Sequence, residues 1–284
     1  MTAQALAIRP AGTAPDQLTA YSGLLNAVFQ TRKFSPEAIA WRYRDNPAGQ
    51  VVGADAWDGE RLAAHYVTCP LEARIDGEVV RGLLSLNTAT HPDYQGRGLF
   101  TRLAETAYAA GTDAGYRFVI GVANANSTPG FLKKLGFQHV DRLHAGVLAR
   151  LPRRFADADV QFQGHWREEL LAWRLANPEG RYAVARYKGL IGVWARTQAP
   201  FVACAAFLRD EGQELAGARG APLAASLFIG LEPRIRLGEQ MFLPVPERLR
   251  PSPLNFIWRP LGAGVPPVLR PEAAALNFLD FDPY

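Results

Sequence analysis

The residues whose types and spacing best suit chemistry form the stretch H-P-D-Y-Q-G-R-G-L-F at residues 91–100. An apolar run at residues 83–90 precedes it, and apolar residues recur every four positions over residues 99–110. This pattern predicts a strand, a glycine-rich turn and a helix, with Gly111 as the helix C-cap. Such a turn presents unpaired backbone N–H groups at the positive end of a helix dipole. The sequence therefore predicts an anion site, with phosphate as its usual occupant.

Other motifs with a similar appearance do not fit. A dinucleotide fingerprint needs Gly or Ala where Thr101 stands and an acidic residue about 20 positions later, but residues 116–125 contain no carboxylate. The sequence has no Gly-Lys-Ser/Thr of a Walker loop, no Gly-x-Ser-x-Gly and no paired-cysteine metal spacing. Dinucleotide, ATPase, hydrolase and zinc chemistry are thereby disfavoured, and no metal site is predicted.

Alternating helices and strands must position the turn. Ser35 is predicted to cap a helix that begins at Pro36, and the Asp76-Gly77 pair predicts a tight hairpin. The other elements predicted in the first 150 residues are strands at 5–8, 51–57, 62–73, 79–90, 116–122 and 138–151, and helices at 15–29 and 131–135.

The second half repeats part of the first. The sequence A-W-R-Y-R-D-N-P at residues 40–47 has a partner, A-W-R-L-A-N-P, at residues 172–178, and strand-like runs follow both. We therefore predict an α/β protein with mixed sheets, built from two tandem units at residues 1–150 and 151–284. The second unit has no matching glycine-rich turn, so it is predicted to be degenerate.

Composition limits the class of protein. The chain has 284 residues, of which 48% are hydrophobic and 20% charged, which is typical of a globular protein. A net charge of +4 from scattered Lys and Arg does not predict nucleic-acid binding. The sequence has no membrane-length apolar run, no signal peptide at residues 1–14 and only two cysteines, Cys69 and Cys204. We expect a soluble cytoplasmic protein with buried thiols.

Two motifs together resemble one family. Gln95-x-x-Gly98-x-Phe100 resembles the Q/R-x-x-G-x-G/A motif of the GNAT superfamily of N-acetyltransferases, and H-P-x-Y precedes it as in that family. Asn126 and the L-G-F at residues 135–137 resemble the next landmark of the family. The resemblance covers residues 80–140 and implies the GNAT fold, with acetyl-CoA or another acyl-CoA as co-substrate and a small-molecule amine as acceptor.

The resemblance also implies how the donor is held. Backbone N–H groups of the turn would bind the pyrophosphate, pantetheine would lie between the fourth and fifth strands, and the thioester carbonyl would lie against the backbone near Ala89 and Thr90. The residues implied to bind acyl-CoA are Thr88, Ala89, Thr90, Gln95, Gly96, Arg97, Gly98, Leu99, Phe100, Thr101 and Asn126.

Polar candidates for catalysis are few. Asn87 is a candidate to orient the amine and His91 a candidate general base, although each also suits a structural role in a strand or turn. Asp280 and Asp282 would join them if the second unit closes over the cleft. Leu132 stands where the family often has a tyrosine that protonates the thiolate, so another group must do this or the thiolate leaves without an acid.

The sequence leaves several acyl acceptors equally compatible. The segment N-A-N-S-T-P-G at residues 124–130 resembles bacterial acyltransferases that modify nucleotide-linked amino sugars. Aminoglycosides, polyamines, amino acids and protein N-termini fit the donor half equally well. In either case the unit at residues 151–284 is expected to shape the acceptor site. A non-catalytic acyl-CoA-binding or regulatory protein is the alternative class.

Overall fold

The computed structural model describes residues 6–187, 189–215, 218–219, 224–250 and 252–281. The elements of the first half are β1 (Ala7–Pro10), α1 (Pro15–Phe29), α2 (Pro36–Tyr43), β2 (Val52–Asp58), β3 (Arg61–Ile75), β4 (Glu78–Thr90), α3 (Leu99–Asp113), β5 (Phe118–Ala123), α4 (Thr128–Lys134), β6 (Gln138–Arg142) and β7 (His144–Leu148). Those of the second half are β8 (Phe162–Gly164), α5 (Glu168–Leu175), β9 (Tyr182–Tyr187), β10 (Leu190–Arg196), β11 (Val202–Arg209), β12 (Ala218–Arg219), β13 (Ala225–Leu231), β14 (Phe242–Pro244), β15 (Asn255–Pro260), β16 (Ala274–Asn277) and α6 (Phe278–Phe281). Short 3₁₀ turns lie at Pro92–Tyr94, Glu247–Leu249 and Pro271–Ala273.

Local sequence signals set several boundaries as predicted. The hydroxyl of Ser35 accepts a hydrogen bond from the Ala38 N–H at 3.2 Å, which caps α2. Asp76 and Gly77 have φ angles of 49° and 89°, the positive values of a two-residue hairpin turn between β3 and β4. Helix α1 begins and ends at the predicted residues. The first strand is displaced to Ala7–Pro10, and Ala5 of the predicted strand lies outside the described residues.

The prediction that Gly111 ends the helix after the turn is wrong. Helix α3 continues to Asp113, and Gly115, with φ of +83°, supplies the left-handed residue beyond it. A Cβ at Gly111 would lie 2.7 Å from Cδ1 of Leu83. The glycine is thus required for close packing of α3 on β4, a tertiary constraint that a sequence pattern does not distinguish from a cap.

The predicted strand at residues 138–151 is two strands that join different sheets. The first sheet has the order β1-β2-β3-β4-β5-β15-β6, and the second has the order β12-β9-β10-β11-β13-β7-β14. Strand β7 of the first half therefore lies in the second sheet, and β15 of the second half lies in the first sheet. The division at residue 150 stays a prediction, and the halves exchange one strand across it.

The two sheets share a local pattern. In the first, β4 and β5 are parallel and the exchanged strand β15 follows; in the second, β11 and β13 are parallel and the exchanged strand β7 follows. Strand β8 pairs with β3 and with β16, and β16 pairs with β13. Through these short strands the sheets form one hydrogen-bonded system.

The repeated A-W-R segments pack against each other. The rings of Trp41 and Trp173 stack with centroids 4.5 Å apart and planes inclined by 16°. Each indole N–H donates to the backbone carbonyl of the other tryptophan, at 3.3 Å from Trp41 and 3.1 Å from Trp173. This reciprocal contact, in which each tryptophan makes the same bond to the other, joins α2 to α5.

We expect the two tryptophans to be energetically coupled. Trp41→Ala and Trp173→Ala should each lower the free energy of unfolding by about 3 kcal/mol, since each removes a large ring and a hydrogen bond. In a double-mutant cycle followed by chemical denaturation, the pair should couple by about 1 kcal/mol. Strictly additive losses would contradict a direct contact between the halves at this point.

The faces of the first sheet have different neighbours. On one face, Tyr66, Leu83 and Val119 pack with α3 in one core cluster. The opposite face carries Leu84, Leu86 and Ile120 and is covered by α1, α2 and parts of the second half. Both thiols, of Cys69 and Cys204, are buried. Across the described ranges, no helix has the length and apolar character to cross a membrane.

Candidate functional site

The glycine-rich turn forms an N–H-lined concavity at the start of α3. Gly96 and Gly98 have φ angles of 76° and 70°, a backbone that other residues adopt only with strain. The first helical hydrogen bond at this end runs from the N–H of Arg102 to the carbonyl of Gly98 at 3.2 Å. Within the described part of the chain, the N–H groups of residues 96–101 donate to no protein acceptor. They are available to an anion at the positive end of the helix.

Two arginines and two aspartates surround Tyr94, the aromatic residue before the turn. Arg97 donates from Nη2 to the carbonyl of Asp93 at 3.0 Å, and its guanidinium lies 5.0 Å from the ring centroid of Tyr94. Arg61 lies over the same ring at 5.4 Å and pairs with the Asp93 carboxylate at 3.1 Å. The Tyr94 hydroxyl donates to Asp58 at 2.7 Å. The side-chain charges here balance, so the attraction for an anion comes from the N–H groups and the helix dipole.

Phe100, the bulky residue of the turn motif, points away from the N–H groups. Its ring makes edge contacts with Tyr66 at 5.8 Å and with Phe131 at 5.2 Å. A Cβ at Gly130 would come within 3.0 Å of the Phe100 ring, so this glycine of the N-A-N-S-T-P-G segment makes room for it. Phe100 stands where the family motif has a small residue, but its ring does not enter the concavity.

A gap opens between β4 and β5 next to the turn. Parallel pairing of these strands ends at Ser85 and Gly121, whereas β4 remains paired with β3 as far as Thr90. The β5-facing edge of residues 86–90, including Thr88 and Ala89, has no strand partner in the described chain. This edge offers backbone hydrogen-bonding groups to an extended ligand.

A β-bulge shapes β4 at the gap. The pairing register of β3 and β4 shifts between His65 and Val67, so that Asn87 and Thr88 both lie opposite Tyr66. Asn87 has a φ of 49°, the left-handed conformation that asparagine tolerates better than most residues. The bulge turns β4 at the point where it leaves β5.

A buried polar network is hydrogen-bonded to the bulge through Asn87. Asn87 donates from Nδ2 to the Tyr43 hydroxyl at 3.0 Å, and that hydroxyl lies 3.1 Å from Nε2 of His65. Nδ1 of His65 is 2.6 Å from Oδ1 of Asp55, and Asp55 accepts a hydrogen bond from the Tyr21 hydroxyl at 2.7 Å. Asp55, His65, Tyr43 and Tyr21 are completely buried.

The tyrosines of this network keep their protons. Burial raises the pKa of Tyr43 well above its ordinary value, and burial followed by the charge of Asp55 raises the pKa of Tyr21. The Tyr43 hydroxyl lies within hydrogen-bond distance of both the Asn87 amide and Nε2 of His65. No sequence motif marks these residues; only the fold brings them together.

A second set of hydroxyls lies on the α3 face at the end of the β4–β5 pairing. The Tyr66 hydroxyl is 2.8 Å from Oγ of Ser85 and is also hydrogen-bonded to the Tyr108 hydroxyl. Burial raises the pKa of Tyr66 to about 12. Ser85 is only partly buried and lies in the last β4–β5 pair, so among these three hydroxyls its own is next to the gap.

Other predicted site residues have mainly structural contacts. Nδ1 of His91 accepts from the Asp93 N–H at 3.2 Å, and Nε2 lies 2.9 Å from Nη2 of Arg61. The carbonyl of Thr90 accepts a long, 3.4 Å bond from Gln95. Leu132 packs in the core beside α3.

Asn124, rather than Asn126, organises the loop before α4. Its Oδ1 accepts from the N–H groups of Asn126 and Ser127 at 3.0 and 2.9 Å. Ser252 of the second half accepts from the Ala125 N–H at 3.1 Å, and Asn255 of β15 donates to Thr128 at 2.9 Å. The second half thus supports one wall of the site.

A cavity that is partly open to solvent lies on the sheet face opposite α3. Leu84, Leu86 and Ile120 line its end beside the gap, and α5 and the C-terminal segment close the other side. Asp280 lines it as well, accepting hydrogen bonds from Nε1 of Trp166 at 2.9 Å and from the Asn277 N–H at 2.7 Å. Asp282 lies outside the described residues.

Burial raises the pKa of Asp280 to about 6. Because this pKa is above the value of 3.8 for an unperturbed aspartate, the folded state binds the proton more tightly. The carboxyl group therefore costs stability increasingly as pH rises from about 4 to 6, and constantly above that.

We expect this cost to appear in the pH dependence of unfolding. Between pH 5 and 7, the wild-type free energy of unfolding should fall by about 1 kcal/mol more than that of Asp280→Asn, which has no proton to lose. Chemical denaturation of both proteins at the two pH values measures this. Parallel pH dependences would show that the carboxyl is not desolvated.

Residues 8–140 match the model of the acetyltransferase (GNAT) domain. These residues therefore form an acetyltransferase (GNAT) domain. It is an acyltransferase, and its co-substrate is an acyl-CoA, the acyl donor of the family. No curated protein matches the sequence.

Three solved structures share the fold over most of the chain. A probable N-acyltransferase of Enterococcus faecalis is 10% identical with a TM-score of 0.53, covering 90% of this chain and 73% of its own. A GCN5-related N-acetyltransferase of Anabaena variabilis is 9% identical with a TM-score of 0.55 and the same coverage. Saccharomyces cerevisiae N-myristoyltransferase, solved with myristoyl-CoA and inhibitors, is 10% identical with a TM-score of 0.57, covering 97% of this chain and 85% of its own. At these identities the likeness concerns the fold.

Proposed function

We propose that the protein transfers an acyl group from acyl-CoA to a primary amine of a small molecule by direct attack. One observation carries this proposal: the free edge of β4 at the β4–β5 gap leads directly, along the chain, into the turn that forms the N–H concavity. A ligand with a pyrophosphate at one end and an extended amide-containing arm fits both features at once.

In this proposal the N–H groups of residues 96–101 hold the pyrophosphate. The pantetheine arm pairs with the free edge of residues 86–90, and the N–H of Ala89 or Thr90 donates to the thioester oxygen. As a neutral amine attacks the carbonyl carbon, an N–C bond forms and the oxygen becomes an oxyanion, which that N–H stabilises. Asn87, held by Tyr43, orients the incoming amine.

The tetrahedral intermediate then collapses. The C–S bond breaks, the electron pair stays on sulfur, and the amine loses a proton to a base or to water. Ser85, hydrogen-bonded to Tyr66, donates a hydrogen bond to the departing sulfur in place of the tyrosine that Leu132 replaces, and CoA leaves as the thiolate. A thiolate with a pKa near roughly 8.5 is a tolerable leaving group, so the reaction needs no full proton transfer to sulfur.

The unit at residues 151–284 plays a different part in the proposal. Gly230 of β13 pairs with β7 on one edge and with Asn277 of β16 on the other, so β16 lies in the gap that opens between β11 and β13. A Cβ at Gly230 would lie 2.2 Å from the Leu276 carbonyl. The chain's own C-terminal strand fills the place equivalent to the donor gap, so the second unit shapes the substrate cavity and binds no acyl-CoA.

Release of free thiol tests the reaction. Incubated with acyl-CoA and a panel of amino sugars, nucleotide-linked amino sugars, polyamines, aminoglycosides and amino acids, the enzyme should release CoA thiol with at least one class of amine. The matched control is Gly98→Asp, which should abolish the signal. The second candidate, a non-catalytic acyl-CoA-binding protein, is favoured by Leu132; tight CoA binding in calorimetry with no thiol release from any amine would support it.

A further inference from the structure

We infer that the cavity beside the β4–β5 gap holds the acyl chain of the donor, and that the protein prefers a medium or long straight acyl group to acetyl. This inference rests on the proposed function, because it requires the thioester to lie in the gap.

The cavity begins where the thioester would lie. Leu84 and Ile120 form the last strand pair before Ser85 and Gly121, and Leu86 is the first residue of β4 beyond that pairing. The side chains of Leu84, Leu86 and Ile120 all line the cavity. An acyl group attached to a thioester in the gap would leave the sheet on this face and pass between these three side chains.

The cavity continues past the gap along the sheet. Its wall on β3 is formed by Cys69, Pro70, Leu71 and Glu72, which span roughly 10 Å at about 3.3 Å per strand residue. An acetyl group would place only one methyl group at the entrance, so the rest of the cavity would stay unfilled.

The lining favours an apolar occupant. Besides the three residues at the gap, the side chains of Phe162, Leu170 and Leu279 line the cavity.

The charged groups among the lining residues already have protein contacts. Both oxygens of Glu72 accept from Nε of Arg167 at 3.1 and 3.2 Å, and both oxygens of Asp280 accept hydrogen bonds. The guanidinium groups of Arg42 and Arg174 lie 5.8 and 6.0 Å from the ring centroid of Trp41. A charged acceptor would have to displace these contacts, whereas a hydrocarbon chain would not.

Calorimetric titration with CoA, acetyl-CoA, hexanoyl-CoA and decanoyl-CoA tests the inference without an acceptor. Each methylene that enters the cavity should tighten binding about fourfold, so decanoyl-CoA should bind at least a hundredfold more tightly than acetyl-CoA. Equal affinities for CoA, acetyl-CoA and decanoyl-CoA would overturn the inference and leave the donor site intact. Failure of CoA itself to bind would instead overturn the proposed function.

A variant locates the chain in the cavity. Leu71→Phe should reduce the affinity for decanoyl-CoA at least tenfold while leaving that for CoA within twofold, because the larger side chain narrows the cavity beyond the edge that is proposed to bind pantetheine. Leu237→Phe, the same change in a partly buried residue of the second half outside the cavity, is the matched control. If Leu71→Phe leaves the chain-length series unchanged, the acyl chain lies elsewhere and the inference is wrong.

Discussion

Gly98→Asp should lower the affinity for CoA by a hundredfold or more. The substitution places a carboxylate at the N-cap of α3, beside the N–H groups that are proposed to bind the pyrophosphate. It both repels the phosphates and competes for their donors, and hydrogen bonds to charged groups contribute about 1.5–3 kcal/mol each. Isothermal calorimetry with CoA measures the loss directly, without knowledge of the acceptor.

Two controls separate charge from backbone strain. Gly98→Ala introduces the strain of a side chain at a φ of +70° but no charge, and should bind CoA much more tightly than Gly98→Asp. Gly115→Asp makes the same chemical change at the other end of α3, where φ is +83° and no atom lies within 4 Å of the added Cβ. If Gly98→Asp binds CoA as well as Gly115→Asp does, the turn is not the phosphate site.

Asp55→Asn should lower the free energy of unfolding by about 3 kcal/mol. The carboxylate is completely buried and accepts from both His65 and Tyr21. An amide retains one acceptor and points an N–H₂ group at a donor. Removing one member of a buried charged network costs about 3–5 kcal/mol. The loss for Asp55→Asn lies at the lower end of this range, because the amide has the same shape and keeps one acceptor.

Chemical denaturation measures this loss, with Asp113→Asn as the control. Asp113 is exposed at the end of α3, so its substitution should change stability by less than about 0.5 kcal/mol. A positioning role for the network predicts one further effect: Tyr43→Phe, which frees the Asn87 amide, should lower kcat more than it raises KM for acyl-CoA. Equal stability of Asp55→Asn and the wild type would contradict the buried network.

Much of the first half followed from local chemistry. The cap at Ser35, the hairpin at Asp76-Gly77 and the strand–turn–helix around Gly98 depend on residues close in sequence, whose backbone preferences are expressed wherever they occur. The order of the two GNAT motifs then gave the family. The errors arose where tertiary packing uses the same residue type for another purpose, as at Gly111, which packs on Leu83.

The proposed catalytic surroundings depend on long-range contacts. His65 is ten positions from Asp55 and 22 from Tyr43, and no periodicity connects them. The apolar cavity combines β4 and β5 with α5 and the C-terminal segment, which only the packing of the two halves brings together. Likewise, the exchange of β7 and β15 is invisible in strand patterns, because an alternating apolar strand fits either sheet equally well.

The sequence by itself determined the turn at residues 95–100 and thereby the kind of donor the protein uses, because phosphate binding needs only glycines, free N–H groups and a helix start, all of which are local. Only the tertiary structure decided that β4 and β5 separate beside the turn, that Asn87 is hydrogen-bonded to a buried network, and that an apolar cavity begins beside the gap between these strands. These features arise where distant segments meet, and their geometry is set by burial and register rather than by any single stretch of sequence.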